Sequence, residues 1–377
     1  MRITTNSTHL AKALTLAKML QSGKQTLGVH EATYLHIGKD ASTLEAHTPA
    51  WHLSMPVPMT ADTEGVIAVN TAHLHKVVSA LQGSIQLDAD TDGMSLSITH
   101  KHGKCVLPLQ PCVNAVGESI EPQAREFSAD ATDIALPCWA DLMTMYNRGC
   151  ALRTTDATRW FANVCSVEIA DSTMTLASTD GRALYSASCK DARLTENAVF
   201  CLPKALRGIF AKIDADEVQI TYEDKGAYQL RISTDAMTLT MQIDRNGDYP
   251  RWRNVIARFD DWAKVDTEAL RQCVSRVTSF GGSEVLRLEI DGTELSLTSR
   301  DGDMFTEARE SISIEDRSEA SLTIGVQSGL LLWMLSHAKD TATLRYKEAS
   351  KPMYIETSDK GIAQYAMIMP CNLPDED

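Results

Sequence analysis

One pattern occurs six times along this chain. A short alternating segment runs into an amphipathic stretch of helical period, and two or three further alternating segments follow. The six starts are RITTNSTHLAKALTLAKML (2–20), GVIAVNTAHLHKVVSAL (65–81), DIALPCWADLMTMYNRG (133–149), AVFCLPKALRGIFAKI (198–213), AKVDTEALRQCVSRV (263–277) and LTIGVQSGLLLWMLSHA (322–338). Such a repeat constrains the fold strongly, because one strand–helix–strand piece cannot bury its apolar face alone and must stack on neighbours. Each start carries a capping or first-turn residue, Ser7, Asn70, Pro137, Pro203, Asp266 or Gln327, ahead of apolar residues at helical spacing. Between them lie period-2 segments broken by turn residues, such as SIQLDADTDGMSLSITH and LRLEIDGTELSLTSRDGDMFTEA. Taken in pairs, the repeats make three segments of similar length, 1–125, 126–258 and 259–377, parted near the polar stretches 118–126 and 254–262. The predicted class is α+β, with two helices on antiparallel sheet in each segment.

The stretch STDGRALY (178–185) poses the question of catalysis. A hydrolase could use Ser178, Asp180 and a distant histidine. However, Asp180-Gly181 and Asp301-Gly302 hold equivalent places in two repeats, which predicts a tight turn in which glycine supplies a positive φ. No G-x-S-x-G, H-E-x-x-H or phosphate-loop motif is present, so no catalytic residue is expected. Nine scattered cysteines without a C-x-x-C pair predict reduced thiols rather than disulfides or zinc. His73-x-His75 and His100-x-His102 are read as solvated histidines, so neither a metal nor a cofactor is expected. No apolar run reaches the length of a membrane span, and MRITTNSTHL lacks the apolar core of a signal peptide, which predicts a cytoplasmic protein with no membrane partner.

The net charge is −14, which by itself argues against nucleic acid. Its distribution reverses that argument. The six helical windows hold twelve bases and three acids, leaving the acidic excess to the rest of the chain. Wet helix faces ordinarily mix Glu with Lys. Helices that share one side would therefore present a basic surface suited to the phosphate backbone. A β-rich scaffold that binds partners but not DNA is the alternative.

At this point the chain resembles the bacterial DNA polymerase III β subunit, the replicative sliding clamp, over its whole length. The motifs are LASTDGRALY (family T-D-G-H-R-L), Gly247-Asp248-Tyr249-Pro250 with Arg251-Trp252-Arg253-Asn254-Val255 (family F-P-x-Y-R-R-V), and Met367-Ile368-Met369-Pro370-Cys371-Asn372-Leu373 (family V-V-M-P-M-R-L). The resemblance implies a head-to-tail homodimeric ring around duplex DNA, helices lining the hole, with no chemistry of its own. It implies a processivity factor that tethers DNA polymerase, the clamp loader and other clamp-motif proteins through a peptide-binding cleft.

Carried over by position, one wall of that cleft would be Ala162, Thr179, Gly181, Arg182 and Leu184. A second would be Pro250, Asn254, Val255, Gln327 and Leu330, and the tail would add Met367, Ile368, Met369, Pro370 and Leu373. Methionines suit a site that re-packs around several partners. Lys24, His73, Arg159, Trp160, Phe161, Lys204 and Arg207 would meet DNA. Cys105 and Leu107, with Val277 and Phe280, would form the dimer contact. The chain departs from the pattern at Arg182-Ala183, Asn254, Ser283, Leu330 and Cys371-Asn372, and it ends in Pro374-Asp-Glu-Asp377. These departures bear on which peptides the cleft prefers, and less on the fold.

Overall fold

A computed structural model describes residues 1–21, 30–112, 123–152, 156, 158–225, 227–243, 247–301 and 306–373. Lys24, Gly302 and the tail 374–377 lie outside the described residues, as does part of the expected boundary at 118–126.

All six repeats are present. The first runs β1 (Arg2–Asn6), α1 (Ser7–Leu20), β2 (Ala32–Ile37), β3 (Ser42–His47) and β4 (Trp51–Pro56), with a short β5 (Met59–Ala61). The second is β6 (Gly65–Asn70), α2 (Thr71–Val78), β7 (Ser84–Asp90), β8 (Ser95–His100) and β9 (Gly103–Gln110). The third is β10 (Thr132–Leu136), α3 (Trp139–Gly149), β11 (Val164–Ala170), β12 (Thr173–Thr179) and β13 (Ala183–Lys190). The fourth is β14 (Ala198–Pro203), α4 (Arg207–Phe210), β15 (Val218–Lys225), β16 (Ala227–Thr234) and β17 (Met237–Ile243). The fifth is β18 (Asp261–Asp266), α5 (Thr267–Gly281), β19 (Val285–Asp291), β20 (Glu294–Asp301) and β21 (Thr306–Arg317). The sixth is β22 (Leu322–Gln327), α6 (Ser328–Leu335), β23 (Thr341–Tyr346), β24 (Met353–Asp359) and β25 (Ile362–Ile368).

The repeats exchange strands in pairs. The strand ahead of each helix pairs with the first strand after the helix of its neighbour: β1 with β7 and β6 with β2, β10 with β15 and β14 with β11, β18 with β23 and β22 with β19. Every pairing is antiparallel. The strands join in two sheets, ordered β10-β15-β16-β17-β4-β3-β2-β6-β9-β8-β7-β1-β5 and β14-β11-β12-β13-β25-β24-β23-β18-β21-β20-β19-β22. The chain accordingly forms two compact units, residues 1–139 with 205–245, and 140–204 with 246–377. The middle pair of repeats gives four strands to each sheet, so this division follows sheet continuity and cuts across the expected segment 126–258.

Local sequence explains the elements. In α1 the buried side chains Leu10, Ala13, Leu14, Ala17 and Leu20 recur at helical spacing. Its cap is Asn6, whose side chain accepts from the Thr8 amide at 2.9 Å; the expected cap, Ser7, is buried and donates to the Leu81 carbonyl instead. Asn70 and Asp266 cap α2 and α5 as their sequence suggests, accepting from His73 and Ala269. Gln327 stands at the cap of α6 without a side-chain hydrogen bond. The helix expected over the fourth start shrinks to one α-helical turn after a 3-10 turn at Lys204–Leu206. Gly208, inside that turn, lowers helix propensity, and a Cβ there would lie 2.7 Å from Met19 of α1. At the far end of α5, a Cβ on Gly281 would fall 2.3 Å from Cβ of Ser299 on β20. Gly281→Ala is therefore expected to cost about 2 kcal/mol or more, read as a lower denaturation midpoint. No helix among the described residues is long and apolar enough to cross a membrane.

Candidate partner-binding site

The turn in STDGRALY is built by its own side chains. Asp180 accepts from the amides of Arg182 (2.8 Å) and Ala183 (2.9 Å), and Gly181 takes φ +89°. Thr179 Oγ1 donates to the Ala183 carbonyl and accepts from the Gly181 amide. Arg159 reaches the Asp180 carbonyl at 3.4 Å, and a Cβ on Gly181 would lie 2.9 Å from its guanidinium. Ser178 is buried, its hydroxyl donating to the Gly149 carbonyl at 2.8 Å. The Asp180 carboxylate and the Ser178 hydroxyl thus hold backbone in place.

Beside this turn, register lines up one apolar row. Leu184 of β13 faces Met367 of β25, which faces Tyr354 of β24. Period-2 alternation adds Tyr365 to the same face. These four are buried together, with Trp252, Ile256 and Phe259 packed against them half-exposed. Tyr354 and Tyr365 lie 4.8 Å apart, and Tyr354 accepts from the Phe259 amide at 3.0 Å. A 3-10 turn at Trp252–Val255 carries Trp252, which sits under Arg253 (4.4 Å to the ring), and Arg253 pairs with Glu168. At the rim stand Val255, 54% exposed, and Met369, 41% exposed. Apolar side chains this open beside a buried aromatic floor suit an incoming apolar anchor.

Past β25 the chain stays pinned. The Met369 amide donates to the Arg182 carbonyl and the Cys371 amide to Gly325 on β22, both at 2.8 Å. Gly325 has no room for a Cβ, which would lie 2.3 Å from the Cys371 carbonyl and 3.2 Å from Leu373. Gly325→Ala is expected to push residues 370–373 off β22 and to cost roughly 1–3 kcal/mol in thermal unfolding.

The structure thus gathers Thr179, Gly181, Arg182, Leu184, Met367 and Met369 around one turn, with Val255 exposed beside the aromatic row. Pro370 and Leu373 follow along β22, which ends in Gln327, and α6 carries half-buried Leu330. Pro250 is half-buried and Asn254 exposed, just before and within the Trp252 turn. One expected cleft residue faces the other way, and another is sealed inside. Ile368 is turned by alternation to the opposite face of β25 and is 1% exposed, and Ala162 is fully buried. Sequence reasoning missed Tyr354, Tyr365, Ile256 and Phe259 as site residues. The alternation in MYIETSD and IAQYAMI carried the signal for the two tyrosines.

The expected DNA residues divide. His73 and Arg207 are exposed on α2 and α4, and Arg159, Trp160 and Phe161 lie at a 3-10 turn, the aromatics half-exposed, with Trp160 edge-on to Tyr249 at 6.1 Å. Lys204 is a correction: it is 2% exposed, and its ammonium donates to the carbonyls of Leu152 (2.5 Å) and Ala162 (2.8 Å). The basic surplus on the helices shrinks as well. Arg276 is bound bidentately by Glu310, and Arg148 and Lys339 both pair with Asp359. Lys12, Lys18, Lys76, Arg207, Lys212 and Arg271 stand exposed. Among the expected dimer residues, Cys105 and Leu107 are half-buried on β9 and Phe280 is 71% exposed at the end of α5. Val277 is the second correction, since it points into its own core with no exposure. Val106, 60% exposed between Cys105 and Leu107, is the open apolar side chain on β9.

An architecture of six strand–helix repeats, exchanging strands in pairs and fused into two antiparallel sheets, is that of the sliding clamps. No protein-family model and no curated protein matches the chain. Solved structures match it end to end. The DNA polymerase III subunit beta of Pseudomonas aeruginosa superposes with a TM-score of 0.85 at 20% identity, covering 99% of this chain and 100% of that one. The Helicobacter pylori beta clamp bound to a DNA ligase peptide gives 0.82 at 18% identity, and the DNA polymerase III beta chain of Streptococcus pneumoniae 0.86 at 15%, each with the same coverage. The chain has the fold of the DNA polymerase III β clamps.

Proposed function

We propose that this chain is a DNA sliding clamp, a non-catalytic processivity factor. Two copies close head to tail into a ring around duplex DNA and tether polymerase and other motif-bearing proteins. The observation that carries this reading is the likeness to β clamps over the full length of both chains. The row Leu184–Met367–Tyr354 with its open rim supports the tethering part, since one of the similar structures is a clamp holding a ligase peptide. The pairwise strand exchange supports three repeated domains over 1–125, 126–258 and 259–377. Ring closure would use Val106, Cys105 and Leu107 of one copy and Phe280 of the other, a heterologous contact that closes on itself.

Small-angle scattering at known concentration tests the ring. A mass near twice 41.4 kDa with the distance distribution of a hollow body is expected, and a compact monomer at tens of micromolar would reject it. Reversing the charge of Lys12, Arg207 and Arg271 together is expected to abolish retention on circular DNA and to lower the salt dependence of binding by roughly one unit per site. A partner-binding scaffold without DNA is the second reading. It is favoured by the burial or pairing of Lys204, Arg148, Arg276 and Lys339, and it predicts indifference to that triple change. For the cleft, Val255→Asp with Met369→Asp is expected to weaken a clamp-motif peptide about tenfold or more, some 1.4 kcal/mol. The unfolding temperature should stay in place, because both side chains are exposed.

A further inference from the structure

The first sheet carries a cluster that the clamp reading leaves unused. His36 on β2, Glu45 and His47 on β3, and His52 on β4 share one face, because Tyr34 pairs with Glu45, Glu45 with Ser54 and His47 with His52 across the ladders. Three imidazole nitrogens converge on a single carboxylate oxygen. From Glu45 Oε2, Nε2 of His52 lies at 3.1 Å, that of His36 at 3.6 Å and that of His47 at 3.7 Å. The His47 side chain is 2% exposed and its Nε2 makes no hydrogen bond, although it is aimed into the cluster. The other carboxylate oxygen, Oε1, accepts from the Ser54 hydroxyl at 3.3 Å, which orients Glu45.

We propose that Glu45, His47 and His52 form a binding site for a divalent transition-metal ion, zinc in the first instance, with water completing its coordination. A zinc ion held at the usual ~2.0–2.1 Å by nitrogen and oxygen spaces its ligand atoms about 3.4 Å apart in a tetrahedron. The distances from Oε2 to Nε2 of His52 and of His47 bracket that edge, and the three residues' ligand atoms all lie within 4.8 Å of one another. Two imidazoles and one carboxylate are a donor set suited to zinc and its borderline neighbours, and lack the all-oxygen character that magnesium or calcium requires. A surface cleft of about 200 Å³, lined in part by His30, His47, His52 and Arg125, gives an ion a route in. The rings of His47 and His52 are stacked, centroids 4.4 Å apart with 28° between planes, and must turn apart to share one ion. Bound metal would tie β3 to β4 next to the β4–β17 ladder, where strands of the first and middle repeats meet within the sheet. Glu45 and His47 sit two apart on one strand, and neither lies in the H-x-H pairs the sequence brings to notice.

The test uses the full chain without a histidine tag. After equilibration with zinc and dialysis, about one ion per chain is expected, with a rise in unfolding temperature. Cobalt substituted for zinc should give the visible bands of a tetrahedral nitrogen–oxygen site with no thiolate charge-transfer band, which separates this cluster from the nine cysteines. Glu45→Gln and His47→Asn are each expected to weaken zinc roughly tenfold or more. His52→Gln should do the same, and the unfolding temperature of each metal-free variant shows whether it folds. A wild-type chain that retains no zinc overturns the proposal, as does a thiolate band in the cobalt form. Undiminished binding in folded His52→Gln and Glu45→Gln would overturn it equally.

Discussion

Lys204→Met is expected to lower the stability of the chain by about 3 kcal/mol while leaving any interaction with DNA untouched. The ammonium is sealed from solvent and donates to two carbonyls, Leu152 and Ala162, at 2.5 and 2.8 Å. Hydrogen bonds from a charged donor contribute about 1.5–3 kcal/mol each, and the substitution takes this partner away from both buried carbonyls. Methionine keeps the length and apolar stem of the side chain, so the loss isolates the ammonium. The Ala162 carbonyl belongs to the Trp160 turn, which carries the expected DNA residues Trp160 and Phe161, and Leu152 follows the third repeat's helix. Chemical denaturation is the direct measurement. The exposed neighbour Arg207 is the control, since Arg207→Met should stay within roughly 0.5 kcal/mol. A Lys204 variant of full stability with weakened DNA binding would restore the surface role that its place at a helix start suggests.

The second large effect is a response to acid. His337 follows α6, 6% exposed, stacked on Tyr185 at 4.9 Å and edge-on to Trp333 at 5.0 Å, with neither ring nitrogen hydrogen-bonded. Burial, and then the nearby Arg148 guanidinium, lower its pKa to about 4. An unfolded histidine titrates near 6.5, so between roughly pH 6.5 and 4 the unfolded chain holds a proton that the folded chain refuses. Stability contributed by the neutral ring is therefore complete above pH 6.5 and falls as the pH drops through that window. At about 1.4 kcal/mol per unit, the loss at pH 4 is on the order of 3 kcal/mol. His337→Phe keeps the stacking and removes the proton. Denaturation curves at pH 7 should nearly coincide for the two proteins and separate progressively toward pH 4, the wild type being the weaker. Parallel curves would mean that the ring is charged in the fold.

Local chemistry made the helices legible. Six starts, read from a capping residue and apolar spacing, each lead into a helix, and the turn in STDGRALY takes the positive φ at Gly181 that its glycine implies. Strand exchange was not legible, because the alternation in GVIAVN or SLSITH says which face is buried and nothing about which strand lies alongside. Lys204 and Arg207 read alike in sequence. Lys204 is drawn inward by two carbonyls brought from 42 and 52 residues away. Val277 and Phe280 are likewise three residues apart on α5, and the helix's rotation sends one into the core and the other to solvent. In the cleft, the motif residues around Asp180 and Met367 were visible, whereas Tyr354 and Tyr365 join them through the β24–β25 register.

The exchanged strands carry a consequence for synthesis on the ribosome. β1 gains its longer ladder only when β7 arrives, with Arg2 meeting Asp88 and Asn6 meeting Ser84, whereas the short β5 pairs with its other edge earlier. At about 5–20 residues per second, the first strand waits roughly 4–17 s after it is made before β7 exists. During that interval the edge of β1 that β7 will cover stays open, and a comparable delay returns at β10, whose ladder partner is β15. Each pair of repeats thus completes its ladders only in its second half, and a chain cut after its first helix and hairpin lacks the strand that closes the longer edge of β1.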